Sequence, residues 1–241
     1  MKTMGRMEDN SIDIIMTSPP YNSIDNKGRH GSKTDMYSKR YDGYQDYRDI
    51  EEYLSWSVGL FNEFDRILKD NSVVLYNFSY GTENPQLPYL LINSIIENTP
   101  FTVADTIIWK KKSALPNNVS PNRLTRICEF VFIMVRKDEI KTFKMNKKVK
   151  SVSRTGQNYF HNYFNFVEAK NNDGSQNLNK AVYSTDLCNQ LLGLYSKEGW
   201  TVYDPFMGIG TTAKSCMELN MNYIGSELSP GQVEYFLDKN N

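Results

Sequence analysis

A short apolar run, Trp200-Thr201-Val202-Tyr203, passes through Asp204 into a turn carrying Gly208 and Gly210, then into a helical stretch from Thr211 to Leu219. A second apolar run, Tyr223-Ile224-Gly225, follows. Strand, glycine turn, helix and strand make a βαβ unit, whose strands lie parallel with the crossover packed back onto the sheet. This unit constrains the whole chain. The remaining segments have to supply more strands to the same sheet and helices to cover both of its faces.

They can do so. Ser11 to Thr17 reads as a buried strand that Ser18-Pro19-Pro20-Tyr21 ends, because two prolines cannot continue a ladder. Apolar residues recur at helical spacing from Ile50 to Leu68, with Asp70-Asn71 as the closing signal. Ser72 to Phe78, Thr102 to Trp109 and Glu129 to Arg136 read as strands. Pro88 to Asn98 and Ser184 to Tyr195 read as helices, the second capped by Ser184 or Thr185, and a last helix begins near Pro230. Three stretches lack periodicity: a polar loop from Asn22 to Arg48, a Pro/Asn-rich loop running to Asn122, and Lys137 to Asn179 with aromatics Tyr159, Phe160, Tyr163, Phe164 and Phe166. The expected fold is α/β and Rossmann-like: a mostly parallel sheet with helices on both faces. Residues 1–136 and 180–241 form one domain, and 137–179 form a small insertion.

Composition narrows the function. The 241 residues carry no net charge, yet cations gather locally. One group is Lys137, Lys141, Lys144, Lys147, Lys148, Lys150 and Arg154; another is Lys27, Arg29, Lys33, Lys39 and Arg40. Such clusters are either solvated loops or an electrostatic footprint for nucleic acid. Cys128, Cys188 and Cys216 are odd in number and far apart, and only His30 and His161 accompany them. Neither a disulfide framework nor a metal site is expected. No run approaches the ~18 apolar residues of a membrane span, and the polar start is unlike a signal peptide, so a cytoplasmic protein is expected.

Two sites carry chemistry. At the first, glycines let the Asp204-Pro205-Phe206-Met207-Gly208-Ile209-Gly210-Thr211 backbone approach a ligand beside a helix N-terminus. Glu227 lies 23 residues after Asp204, near the spacing of about 20 for a ribose-binding acid. The third glycine of a dinucleotide fingerprint is missing, which an adenosyl ligand without phosphates tolerates. Alternatively, this is a tight βα turn with an incidental acid. At the second, Ser18 and a rigid proline carbonyl are acceptors suited to the two N–H groups of an exocyclic base amine, a weak nucleophile until they are held. Tyr21 is either ordinary core or a platform for a base flipped from a duplex.

Together, Ser18-Pro19-Pro20-Tyr21 and Asp204 to Thr211 resemble the catalytic and cofactor motifs of the amino-methyltransferase family of DNA methyltransferases, which modify cytosine N4 or adenine N6. Ile107 to Lys110 and Arg126 to Phe130 look like its intermediate motifs, so the resemblance spans essentially the whole chain. The catalytic motif comes first, as in the permuted subgroup called beta. The resemblance implies S-adenosylmethionine as cofactor, duplex DNA as partner, a homodimer, and a bacterial or virus-infected cell as its setting. Ser18 and the Pro19 carbonyl would accept the amine protons, beside Pro20, and Tyr21 would stack on the base. Asp204, Pro205, Phe206, Gly208, Gly210 and Thr211 would wrap the methionine part, and Glu227 would bind ribose. Residues 137–179 would be the target-recognition region, with Lys144, Lys147, Lys148, Lys150 and Arg154 on DNA. Where the family has His-x-Ala-x-Phe-Pro before the cofactor strand, this chain has Ala181, Tyr183 and Ser184.

No cysteine follows a proline, which sets aside methylation at cytosine C5 through a thiolate. Protein glutamine methyltransferases place a similar motif after the cofactor motif, opposite to the order here. Serine at the first motif position favours cytosine N4; adenine N6 and an inactive DNA-binding relative stay open as alternatives.

Overall fold

A computed structural model of the chain describes residues 2–22, 48–81, 84–113, 120–174 and 182–240. The polar loop between Asn22 and Arg48, with the basic cluster in it, lies outside them, as does most of the loop before Asn122. The βαβ unit at the C-terminus is as expected: β8 (Thr201–Asp204), α4 (Thr211–Glu218) and β9 (Asn222–Gly225), with β8 and β9 parallel. Upstream run β1 (Ile12–Thr17), α1 (Ile50–Ile67), β2 (Leu68–Phe78), α2 (Leu87–Asn98), β3 (Phe101–Lys111) and β4 (Cys128–Arg136). A hairpin follows, β5 (Val149–Val152) and β6 (Asn158–Phe160), then β7 (Phe166–Ala169) and α3 (Thr185–Tyr195). The last helix is α5 (Pro230–Asn240).

Seven strands form one sheet in the order β7-β3-β4-β2-β1-β8-β9. Only β4 is reversed, pairing antiparallel with β2 and β3; the other pairs of this sheet are parallel. The reversal has a functional consequence. It brings the N-terminal residues of β4 to the same edge as the C-terminal ends of its neighbours. The chain runs outward from β1 to β2 on one side and from β8 to β9 on the other. The crevice between β1 and β8 is therefore a topological switch point, where open α/β sheets bind ligands.

Strand residues alternate between two cores, one per face, as a period of two requires. Ile14, Met16, Val73 and Leu75 pack with Leu187, Leu191 and Tyr195 of α3 and Cys216 of α4. Ile15, Val74, Tyr76 and Phe78 pack with Phe61 and Phe64 of α1 and with Leu91 and Ile95 of α2. The helix ends follow from local chemistry. Asp49 caps α1 by accepting from Glu51 N at 3.0 Å, and Ser184 caps α3 by accepting from Leu187 N at 3.3 Å.

Two expectations need correction. The helix α1 stops at Ile67, before Asp70-Asn71, because buried Leu68 is already extended and paired with Ile12. Asn71 does turn the backbone, at φ 59°, but inside β2. The region 137–179 is also not wholly an insertion. Phe166–Ala169 returns to the main sheet as an edge strand parallel to β3, leaving the β5–β6 hairpin as a sheet of its own. Among the described residues, no helix is long and apolar enough to cross a membrane.

Candidate active site

A cavity of about 400 Å³ opens at the C-terminal edge of β1, β8 and β9. Its walls include Ser18 and Pro20 after β1, Pro205, Phe206, Met207, Gly208 and Thr211 after β8, and Ser226 and Glu227 after β9. Both halves of the sequence-predicted site thus meet across the switch point. Pro19, Tyr21, Asp204 and Gly210 are not among its lining residues; each adjoins one that is.

Asp204 ends β8 and is 1 % exposed. Its Oδ1 accepts from Thr17 Oγ1 at 2.8 Å and Phe206 N at 3.0 Å; its Oδ2 accepts from Tyr183 Oη at 3.1 Å and Thr212 Oγ1 at 2.7 Å. Burial pushes its carboxyl above the ordinary range, against the opposing pull of these four donors. The same burial, with Asp204 beside it, pushes the Tyr183 phenol well up. The aspartate therefore fastens β1 to the glycine turn after β8. Thr17 immediately precedes Ser18, so the two motifs share one buried hub. Tyr183, where the family pattern has an aromatic, is a member of that hub which the sequence showed only as a motif position.

The turn after β8 needs its glycines. Gly208 has φ 53° and Gly210 φ 84°. A Cβ on Gly210 would lie 2.1 Å from the Phe236 ring of α5. Gly208 N donates to Glu227 Oε2 at 2.9 Å, and Leu228 N and Ser229 N donate to Oε1 at 2.8 and 2.9 Å. The carboxylate is thus held rigidly two residues beyond β9. Oε1 is filled by its two donors, and Oε2 keeps one lone pair for a further donor.

On the β1 side, Tyr53 Oη donates to the Pro20 carbonyl at 2.6 Å and fixes the proline turn. The Asn22 side chain accepts from Arg48 N at 2.6 Å and donates to Arg48 O at 3.0 Å, so the two ends of the polar loop are tied together beside the cavity. Arg48 lies over the Trp56 ring, 5.3 Å from its centroid, and Trp56 in turn meets Phe206 at 5.7 Å; all three line the cavity. Sequence reasoning missed Arg48 and Trp56, as it missed Lys2, Thr3 and Met4 of the N-terminal turn. Arg66 straps that turn down through the Met4 and Met7 carbonyls at 2.6 and 2.9 Å. No single-residue signal marked these positions.

Tyr21 is half-buried, its ring 4.9 Å from that of Phe78. Its hydroxyl lies 2.8 Å from Ser18 Oγ and 3.0 Å from both Asn77 Oδ1 and Glu129 Oε2. The cations Lys144, Lys147, Lys148, Lys150 and Arg154 are all exposed, on and around the β5–β6 hairpin. None forms a salt bridge with a described residue.

A family model described as DNA methylase, of the N6/N4 methyltransferase type, matches residues 12–238. The Type II methyltransferase M.MjaI of Methanocaldococcus jannaschii is 25% identical over 94% of this chain and 84% of its own length. M.MthZI of Methanothermobacter thermautotrophicus is 28% identical over 93% of this chain and 70% of its own. Among solved structures, the cytosine-N4-specific PvuII DNA methyltransferase superposes with a TM-score of 0.71 at 17% identity, covering 97% of this chain and 81% of that one. The complex of M1.HpyAVI with S-adenosylmethionine gives a TM-score of 0.59 at 20% identity, covering 95% and 89%. The cavity at the switch point, the paired motifs around it and the match over nearly the whole chain lead to one conclusion: this chain belongs to the N6/N4 DNA methylase family.

Proposed function

We propose that the chain transfers a methyl group from S-adenosylmethionine to the exocyclic N4 of a cytosine flipped out of duplex DNA. The observation that carries this reading is the placement of Ser18 in the wall of a cavity whose opposite wall is the Asp204–Thr211 turn and Glu227.

The cavity fits the cofactor. Its volume falls in the usual range for small-molecule sites. The rigid Glu227 carboxylate accepts from the ribose through Oε2, and the N-terminus of α4 at Thr211 favours the methionine carboxylate. Phe206 and Trp56 supply apolar wall, and Asp204 acts through the turn it fastens. When bound, the cofactor supplies a methyl on a sulfonium, whose C–S bond breaks as the N–C bond forms.

The residues of the chain do the rest by positioning. Ser18 Oγ and the Pro19 carbonyl accept the two amine protons and hold the nitrogen pair toward the methyl. The partly exposed ring of Tyr21 is the platform for the base. Ser18 is not a covalent nucleophile. A single hydroxyl at this position, with no carboxylate charge, favours cytosine N4 over adenine N6.

We assign residues 1–136 to catalysis, 180–241 to the cofactor, and the hairpin within 137–179 to target recognition, with its five cations on phosphates. A homodimer is the assembly the family resemblance implies, and sedimentation of the purified chain tests it. The direct test of the activity is incorporation of labelled methyl from S-adenosylmethionine into unmethylated mixed-sequence duplex DNA. Label in DNA with the wild-type chain, and about a hundredfold to a thousandfold slower labelling with Ser18→Ala, supports the reading; label absent from DNA in both overturns it.

A further inference from the structure

The edge that carries Ser18 also gathers a charged pair which the proposed transfer has not used. Asn77 near the end of β2, Lys111 at the end of β3 and Glu129 at the start of β4 meet behind Tyr21, because β4 alone runs backwards through the sheet. Lys111 Nζ lies 2.5 Å from Glu129 Oε1, and the other oxygen, Oε2, faces Tyr21 Oη at 3.0 Å. Both partners of the pair are largely buried.

The direction of this chain of bonds follows from counting protons. Asn77 Nδ2 donates to the Phe130 carbonyl at 3.1 Å, which turns Asn77 Oδ1, an acceptor, toward Tyr21. The phenol has one proton and two acceptors waiting for it, Asn77 Oδ1 and the Glu129 carboxylate. It has none to give Ser18. The 2.8 Å contact between the two hydroxyls is therefore a bond donated by Ser18 to Tyr21. With its only proton committed inward, Ser18 Oγ presents lone pairs alone to the cavity.

We infer that Glu129, held by Lys111, is a positioning residue that acts through Tyr21 to keep Ser18 an acceptor and to take up the proton the amine loses. This rests on the reading of Ser18 as the group that accepts the amine protons. Once the N–C bond has formed, the nitrogen carries one proton in excess. Ser18 Oγ takes that proton while its own moves to Tyr21 Oη and the phenol proton moves to Glu129 Oε2. The nitrogen ends neutral, both hydroxyls are restored and the carboxylate becomes a carboxylic acid, so charge and protons balance. A protonated exocyclic amine is a much stronger acid than a carboxylic acid, and the transfer runs downhill. Among the described residues, the charged or titratable groups bonded to the Glu129 carboxylate are Lys111 from β3 and Tyr21 from the turn after β1; the neutral Asn77 from β2 meets the Tyr21 hydroxyl, and Lys110 is turned to Glu168 at 2.7 Å.

The test is Glu129→Gln, which keeps shape and removes charge, with Tyr21→Phe as the second variant, both in the full chain. Single-turnover transfer to unmethylated duplex DNA is followed against pH, and cofactor affinity is measured by calorimetry. The expected result is a loss of about a hundredfold in the transfer rate, as for general acid–base groups, with cofactor affinity and KM for DNA unchanged. The pH profiles of the wild-type chain and of Glu129→Gln differ. If Glu129→Gln is poorly folded, Tyr21→Phe decides, since it keeps the Lys111–Glu129 pair and removes only the hydroxyl between. A wild-type rate and pH profile in either folded variant, with Ser18→Ala inactive, overturns the inference and leaves the proposed function standing. No transfer by the wild-type chain overturns the reading beneath it, and the inference with it.

Discussion

Asp204 is a charge held away from water by four donors, and its energetics are legible from that. Burial raises its pKa in the folded chain, so the folded state binds a proton more readily than the unfolded one. The contribution of this carboxyl to stability is then full below the ordinary carboxylate range and is lost as pH rises through the folded value. Asp204→Asn has no such titration. Its Tm relative to wild type should therefore be more favourable near neutrality than in acid, and a gap that is flat with pH would contradict the assignment. Thr17→Val removes one donor and leaves a buried acceptor short of a partner, at a cost of about 1–3 kcal/mol. Thermal unfolding reads that cost, and a loosened Ser18 would slow transfer as well. On the other wall, Ser18→Ala removes the acceptor proposed to act on the reacting nitrogen. The expected loss is on the order of a hundredfold to a thousandfold in transfer, with calorimetric cofactor affinity intact.

At the scale of elements, the turn into α4 is the most exacting. Gly210→Ala puts a Cβ into the Phe236 ring and an L-residue at φ 84°, a strain of about 1–3 kcal/mol visible as a lower Tm together with weaker cofactor binding. The helices that cover this face also bury two thiols. Burial pushes Cys216 up to about 12 and Cys188 well above its ordinary value, whereas Cys128 at the start of β4 is exposed. An alkylating reagent at pH 8 should modify one thiol per folded chain and all three in denaturant, counted by mass. Most of these elements were legible because their apolar residues recur over seven residues or more. The strand β7 was not: four residues, Phe166-Val167-Glu168-Ala169, give two buried positions amid aromatics, too few for a period. The end of α1 was misplaced because Asn71 carries a turn signal for a bend within β2. The two motifs of the site were legible as local patterns. Their partners were not, since Thr17 lies 187 positions from Asp204 and Tyr21 lies 108 from Glu129, and only the sheet order brings them together.

At the scale of the whole molecule, a chain with no net charge has to engage a polyanion through local charge. The exposed cations of the β5–β6 hairpin are assigned that role. Replacing Lys147, Lys148 and Lys150 with alanine should weaken DNA binding and reduce the slope of log K against log salt by about 0.9 for each phosphate that is no longer neutralised. An unchanged slope would place DNA elsewhere. The reversed strand, the switch point and the shared Asp204 hub are all features of one edge of one sheet, the edge proposed to methylate a base amine. That claim is met most directly by incubating the purified chain with S-adenosylmethionine and unmethylated duplex DNA, digesting to nucleosides and identifying the product by mass spectrometry. N4-methylcytosine is the expected product; N6-methyladenine would overturn the choice of base, and 5-methylcytosine the mechanism itself.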